Sequence, residues 1–132
     1  MGVDEKGKGV FAMRESGEMY LETILILSNQ QNSVRSIDIA EYMNYSKPSI
    51  SRAVNNLKNE GYIIIDARGN IALTKNGREI AEKIYERHTV LTQMFESLGV
   101  SKETATDDAC KIEHVISDET FNAFKKHLLE YK

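Results

Sequence analysis

The sequence carries one cysteine, one proline and no tryptophan in 132 residues. A lone thiol excludes an internal disulfide. With no secretory leader and no apolar run near membrane-spanning length, it leads us to expect a reduced, cytoplasmic setting and no membrane partner. Positive charge is not in excess either: 17 Lys and Arg stand against 20 Asp and Glu, a net charge of -3. That balance excludes a uniformly basic nucleic-acid coat while leaving room for a local cationic surface. The length excludes a large catalytic domain and allows one core, or two small ones sharing a helix.

Residues 1–17 are rich in glycine and charge and read as a mobile N-terminal arm. Gly2 to Gly9 imitates a phosphate-binding loop, but Gly9 stands where Ser or Thr is required. The opening Met-Gly has Lys6 in place of the hydroxyl that myristoylation needs. From Glu18 to about Asn29, Tyr20, Leu21, Ile24, Leu25 and Leu27 recur at helical spacing. After an extended link at 34–36, Ser36 is the expected cap of a second helix with Ile37, Ala40 and Met43 inward, broken at Asn44-Tyr45.

Ser46 caps a third helix, with Pro48 tolerated in its first turn, Ile50, Val54 and Leu57 inward, and a stop at Gly61. Two β-rich runs, 62–65 and 71–73, flank the turn residues Asp66 to Asn70 and predict a hairpin. A helix-turn-helix followed by a hairpin is a winged helix. Thr74 then caps a long helix from Lys75 to about Leu98 with a stripe of Ile80, Ile84, His88, Leu91, Phe95 and Leu98. Ser101 opens a fifth helix reaching about Ile116, and Ser117 a sixth with Phe121, Phe124 and Leu128 on one face. The expected fold is mainly α: arm 1–17, a winged helix-turn-helix over 18–75, and a linking helix plus an all-helical part over 76–132. The last part has too few elements to close a core alone, which predicts a homodimer.

Between Ser46 and Lys58 the chain has cations at Lys47, Arg52 and Lys58 and no acid. Ser46, Lys47, Pro48, Ser49, Ser51, Arg52 and Asn55 therefore give the third helix an outer side suited to a major groove. The hydroxyls of Ser46 and Ser49 and the Lys47 ammonium, at the helix start, suit phosphates. Arg52, one turn further on, suits a base edge, most naturally guanine. Arg68 at the wing tip is placed for flanking backbone or minor groove.

The one cysteine lies in Asp107-Asp108-Ala109-Cys110-Lys111-Ile112-Glu113-His114, putting a thiol, a carboxylate and an imidazole at i, i+3 and i+4. Such a mixed soft and hard set suits a first-row divalent metal. Met19 and Glu22 on the first helix and His88 on the fourth are the candidates for further ligands. Taken singly each has a plain structural explanation: a small core thiol, a surface Glu-His pair, a gap-filling methionine, a core imidazole. His127 reads as a surface residue.

The chain resembles the DtxR/MntR family of metal-dependent transcriptional repressors. The resemblance is carried by Glu18-Met19-Tyr20-Leu21-Glu22, Ser36-Ile37-Asp38-Ile39-Ala40, Leu73-Thr74-Lys75-Asn76-Gly77, Arg87-His88, and above all by the run from Ala109 to Glu119. It extends from about Gly17 almost to the end. It implies the short, two-domain form without an SH3-like domain. By resemblance to the iron-responsive branch, Met19, Cys110, Glu113 and His114 are the regulatory ligands. An ancillary site of that branch would need an acid and a histidine where Thr92 and Thr106 stand. The manganese branch has Asp and Glu at the Met19 and Cys110 positions and keeps Glu22, His88, Glu113 and His114, so this chain is a hybrid of the two.

The function so implied is a homodimeric repressor that binds double-stranded operator DNA when loaded with Fe(II) or Mn(II) and controls metal-ion uptake genes. Zn(II), Co(II) or Ni(II) would act as surrogates, and no organic cofactor is expected. Ligands from both domains would tie metal loading to the spacing of the recognition helices. One rival is a metal-independent winged-helix regulator sensing redox state or a small ligand through Cys110. A small metalloenzyme is the weaker rival, since no general base or substrate-binding motif accompanies the ligands, and the chain is not expected to be an enzyme.

Overall fold

The computed structural model describes residues 15–130, and these divide after Glu82 into two compact units. The phosphate-loop and myristoylation matches fall outside the described residues. Helix α1 (Glu15–Gln30) begins earlier than expected, so Glu15 to Gly17 are helical rather than part of an arm. A glycine inside a helix is unfavourable by about 1 kcal/mol, which burial of the neighbouring Tyr20, Leu21, Ile24, Leu25 and Leu27 outweighs.

Helix α2 (Ser36–Met43) departs from expectation at its start and on its inner face. Its N-cap is Arg35, not Ser36, and the Asp38 carboxylate accepts the Arg35 backbone N–H at 2.8 Å. Ile39 and Ala40 face inward with Met43 partly buried, whereas Ile37 is 41% exposed. At about 100° per residue Ile37 lies nearly opposite Ile39, so only one can face the core. The Val34 carbonyl accepts the Ile71 N–H at 2.7 Å, and this tie to the wing fixes the helix rotation that selects Ile39.

Helix α3 (Lys47–Asn59) follows the expectation closely. Ser46 Oγ accepts the Ser49 N–H, Pro48 sits in the first turn, Ile50, Val54 and Leu57 are buried, and Gly61 takes φ +86° just beyond the end. Strands β1 (Ile63–Ile65) and β2 (Ile71–Leu73) pair antiparallel, Ile64 opposite Ala72. Ile63 and Ile71 point into the core formed with α1, α2 and α3. Helix α4 (Lys75–Ser97) starts at the foot of the wing. Thr74 Oγ1 donates to the Gly61 carbonyl at 2.7 Å and accepts the Gly77 N–H at 3.2 Å. Gly77 is required here because a Cβ would fall 2.0 Å from the Tyr62 carbonyl oxygen.

The second unit contains the rest of α4, α5 (Lys102–Ile112) and α6 (Asp118–Glu130), and among the described residues it is all helical. Ser101 and Ser117 cap their helices as expected, accepting the Thr104 and Thr120 N–H groups. Leu91, Met94, Ala105, Ala109 and Phe121 are buried. Two expectations fail. Leu98 lies past the end of α4 and is 72% exposed, Met94 taking the inward position instead, because the chain turns out through Gly99 at φ +98°. Helix α5 ends at Ile112, not Ile116, so Glu113 is its C-cap. No helix among the described residues is long and apolar enough to cross a membrane.

Candidate functional site

Three of the anticipated ligands meet in the second unit. His88 Nδ1 of α4 lies 2.9 Å from Glu113 Oε1 and 3.8 Å from Cys110 Sγ, and the three donor atoms all fall within 4.8 Å of one another. His114 joins through the other carboxylate oxygen, its Nε2 being 3.3 Å from Glu113 Oε2. Glu113 thus stands between two imidazoles, and the side chains of both Glu113 and His114 are 1% exposed. Cys110 is exposed and His88 half-buried, which opens one side of the cluster to solvent.

The donor set fits a divalent ion. Metal–ligand bonds of about 2.0–2.3 Å place neighbouring donors roughly 3–4 Å apart; the His88–Cys110 and His114–Glu113 separations of 3.8 and 3.3 Å fall there, and His88–Glu113 at 2.9 Å lies at its lower edge. Burying a carboxylate is unfavourable unless a cation or hydrogen bonds compensate. The nearby guanidinium of Arg87 bonds the Glu113 backbone carbonyl at 3.2 Å. A first-row metal would supply charge at the carboxylate itself and take a thiolate from Cys110.

Cys110, Glu113 and His114 do not all lie on one helix, as the expected reach of α5 to Ile116 would have placed them. Cys110 is in the last turn of α5, whereas Glu113 caps it and His114 follows in the turn beyond. Glu113 itself keeps a helical backbone, at φ −57° and ψ −26°, and its N–H still reaches the Ala109 carbonyl. Met19 and Glu22 lie one turn apart on α1 in the first unit, both half-buried. Thr92, one turn after His88, has a buried hydroxyl without a hydrogen-bond partner among the described residues, and Thr106 is half-buried.

In the first unit Ser46, Lys47, Pro48, Ser51, Arg52, Asn55 and Arg68 are all exposed, and Ser49 is half-buried. Ser46 Oγ donates to Ser49 Oγ at 3.0 Å, and Arg52 Nη2 approaches the same oxygen at 3.5 Å. The hydroxyls at the helix start thus orient the first turn and lean Arg52 toward it. The wing turn is organised by Asp66, whose carboxylate accepts the backbone N–H groups of Arg68 at 2.8 Å and Asn70 at 2.9 Å and the Asn70 side-chain amide at 3.0 Å. The Asn70 backbone bond, more than any other contact, holds the Asp66 carboxyl below the usual carboxylate range. Gly69 completes the turn at φ +87°.

Sequence reasoning gave no site role to three residues that the structure places beside the two clusters. Arg35 is exposed, and its guanidinium lies against the wing turn, 3.2 Å from where a Cβ on Gly69 would be. The backbone bond from Ile71 to Val34 brings it there, a long-range tie with no local signal. Tyr45, just before the Ser46 cap, exposes 45% of its surface while its ring meets Tyr20 edge-on at 6.2 Å. Burial pushes the Tyr20 hydroxyl upward, as does Tyr45, against an opposing effect of Arg52. The third residue is Arg87, buried beside the ligand cluster.

Residues 12–70 match the family description "Iron dependent repressor, N-terminal DNA binding domain", and residues 74–132 match "Iron dependent repressor, metal binding and dimerisation domain". An HTH-type transcriptional regulator of Methanocaldococcus jannaschii is 31% identical over 122 residues, which cover 91% of this chain and 98% of that one. The HTH-type transcriptional regulator MntR of Geobacillus kaustophilus is 33% identical over 102 residues, covering 77% of this chain and 72% of the relative. The solved structure of the manganese regulator SloR matches with a TM-score of 0.77 at 28% identity, over 91% of this chain and 56% of SloR. The chain therefore spans little more than half the length of that solved relative.

Proposed function

The chain belongs to the iron-dependent repressor family, and on that premise we propose that it is a metal-dependent transcriptional repressor acting as a homodimer on operator DNA. Fe(II) or Mn(II) is the corepressor, and the regulated genes serve metal-ion uptake and homeostasis. The observation that carries this reading is the convergence of His88, Cys110 and Glu113 donors within 4.8 Å. His114 is the fourth ligand from the second unit. Met19 and Glu22 are the ligands that the family resemblance adds from α1. The soft thiolate of Cys110 favours Fe(II) over Mn(II), while the carboxylate and imidazoles serve either.

Residues 18–75 form the DNA-binding part and residues 76–132 the metal-binding and dimerisation part. Exposed Tyr85, Leu98, Val115 and Leu129 in the second part support burial against another copy. On DNA, Ser46, Lys47 and Ser49 serve phosphates, Arg52 a base edge, and Pro48, Ser51 and Asn55 the groove wall. Arg68 and Arg35 add two cations at the wing. The role is regulatory: among the described residues, the polar side chains of the cluster are of metal-ligand type.

The metal stabilises whichever arrangement it binds better, so a differential affinity is what links it to DNA. Coupling of the usual size, about 1–3 kcal/mol, corresponds to a change in operator affinity of several-fold to about a hundredfold. By reciprocity DNA tightens metal binding equally. The test is anaerobic. Metal-free protein is titrated with Fe(II), Mn(II) and Zn(II) against a DNA fragment first selected from a random pool by the metal-loaded protein. Affinity should rise with metal, and equal binding with and without it would sink the corepressor reading.

A further inference from the structure

We propose that Arg87 is a positioning residue for the metal ligands, holding the turn from Glu113 to Asp118 so that the Glu113 carboxylate and the His114 imidazole stay assembled. The inference rests on the metal-centre reading above and adds to it a residue outside the ligand set. Where α5 ends, backbone carbonyls lose their helical partners and must find others. Arg87 supplies them: Nη1 donates to the Glu113 carbonyl at 3.2 Å and to the Ile116 carbonyl at 2.7 Å. Nη2 pairs with Asp118 Oδ1 at the start of α6, and the guanidinium lies 5.4 Å from the Phe121 ring centroid.

Adjacent residues of α4 therefore grip the same residue. Arg87 takes the carbonyl of Glu113 while His88 takes its carboxylate. The grip is rigid because Arg87 is only 7% exposed, and a planar fork can serve two carbonyls and a carboxylate at once. Lysine, a point donor on a flexible stem, would satisfy fewer of these groups. Partners that orient a ligand in this way commonly matter about 10–100-fold in metal affinity.

A purely structural arginine would affect folding without affecting the ligand geometry, and the test separates the two. Co(II) is titrated anaerobically into the full-length protein, following both affinity and the thiolate-to-cobalt absorption that reports Cys110. Thermal unfolding of the metal-free proteins is measured in parallel. Arg87→Gln should weaken Co(II) binding about 10–100-fold and alter the absorption, with Arg87→Lys in between. Phe121→Leu removes the ring yet leaves the carbonyl bonds. It should lose thermal stability while keeping wild-type Co(II) affinity and spectrum. Wild-type Co(II) behaviour in Arg87→Gln overturns the proposal, as does a loss in Phe121→Leu and Arg87→Lys that merely follows their loss of stability. If Arg87→Gln does not fold, the Arg87→Lys and Phe121→Leu pair decides. Glu113→Gln serves as the reference: unchanged Co(II) affinity there would defeat the metal-centre reading itself, a failure distinguishable from that of Arg87.

Discussion

The two units divide their labour in opposite ways. The first buries an apolar core and displays its chemistry, with Arg52, Lys47 and Arg68 on the surface and Ile24, Ile39 and Ile50 fully enclosed. The second buries part of its chemistry: Glu113, Arg87 and the His114 side chain occupy interior positions. Stability and function are therefore separable in the first unit by choosing residues of different burial. In the second the same side chains bear on both.

The sharpest way to break this contrast is a pair of substitutions. Leu21→Ala empties a fully buried position of α1 and should destabilise the first unit by about 2–5 kcal/mol, measured by chemical unfolding. Glu113→Ala takes the carboxylate from between the His88 and His114 imidazoles, so the metal-free protein should remain folded at a cost of about 1–3 kcal/mol in stability. What it should lose is the rise in melting temperature on adding Mn(II) or Co(II), together with the metal response of operator binding. A variant whose melting temperature still climbs normally with metal would remove Glu113 from the site.

The legibility of the two units differs for the same reason. The face of α1, the Ser46 cap, the Pro48 position and the Gly61 stop depend on residues within a turn or two, and local spacing reveals them. Ile37 and Ile39 both satisfy a helical pattern, and only the distant bond between Val34 and Ile71 decides between them. The run from Ile112 to Ile116 contains no glycine or proline, so nothing local marks the end of α5. Its turn is held by Arg87 from 26 residues upstream. The i, i+3, i+4 spacing brings Cys110, Glu113 and His114 together on the chain, and the structure keeps them close although α5 ends at Ile112. His88 was visible as one member of an inward stripe, but its meeting with Glu113 is a tertiary fact.

On the displayed side of the comparison, the cations should differ in kind. Arg52→Ala should weaken specific operator binding by about 1–3 kcal/mol and relax preference at one base position, with little effect on random DNA. Arg35→Ala should weaken both DNAs by similar, smaller factors and lower the salt dependence by about one unit of slope. Binding measured against a selected operator and a scrambled one, each at several salt concentrations, checks both. Equal losses for Arg52→Ala on the two DNAs would make it a phosphate contact.

The smallest effect separates the units by the origin of a pKa. Asp66 in the wing is held below the usual carboxylate range chiefly by the backbone N–H of Asn70. Asp118 in the second unit is held low chiefly by the hydrogen bond and charge of Lys83, with Arg87 contributing. Both folded values lie below the unfolded one, about 3.9. Each group therefore adds stability that is complete above the unfolded value and is lost as pH falls through the depressed folded value. Salt distinguishes the causes, because mobile ions screen a charge pair at an exposed carboxylate far more than a hydrogen bond from a neutral amide. Carboxyl titrations followed by NMR at low and high salt should find Asp118 moving up toward its ordinary value while Asp66 hardly moves. Asp66→Asn should abolish the acid-induced change in the Arg68 and Asn70 amide signals. An Asp66 that follows salt as Asp118 does would mean that the wing turn is held chiefly by a neighbouring cation such as Arg35 and not by its own backbone.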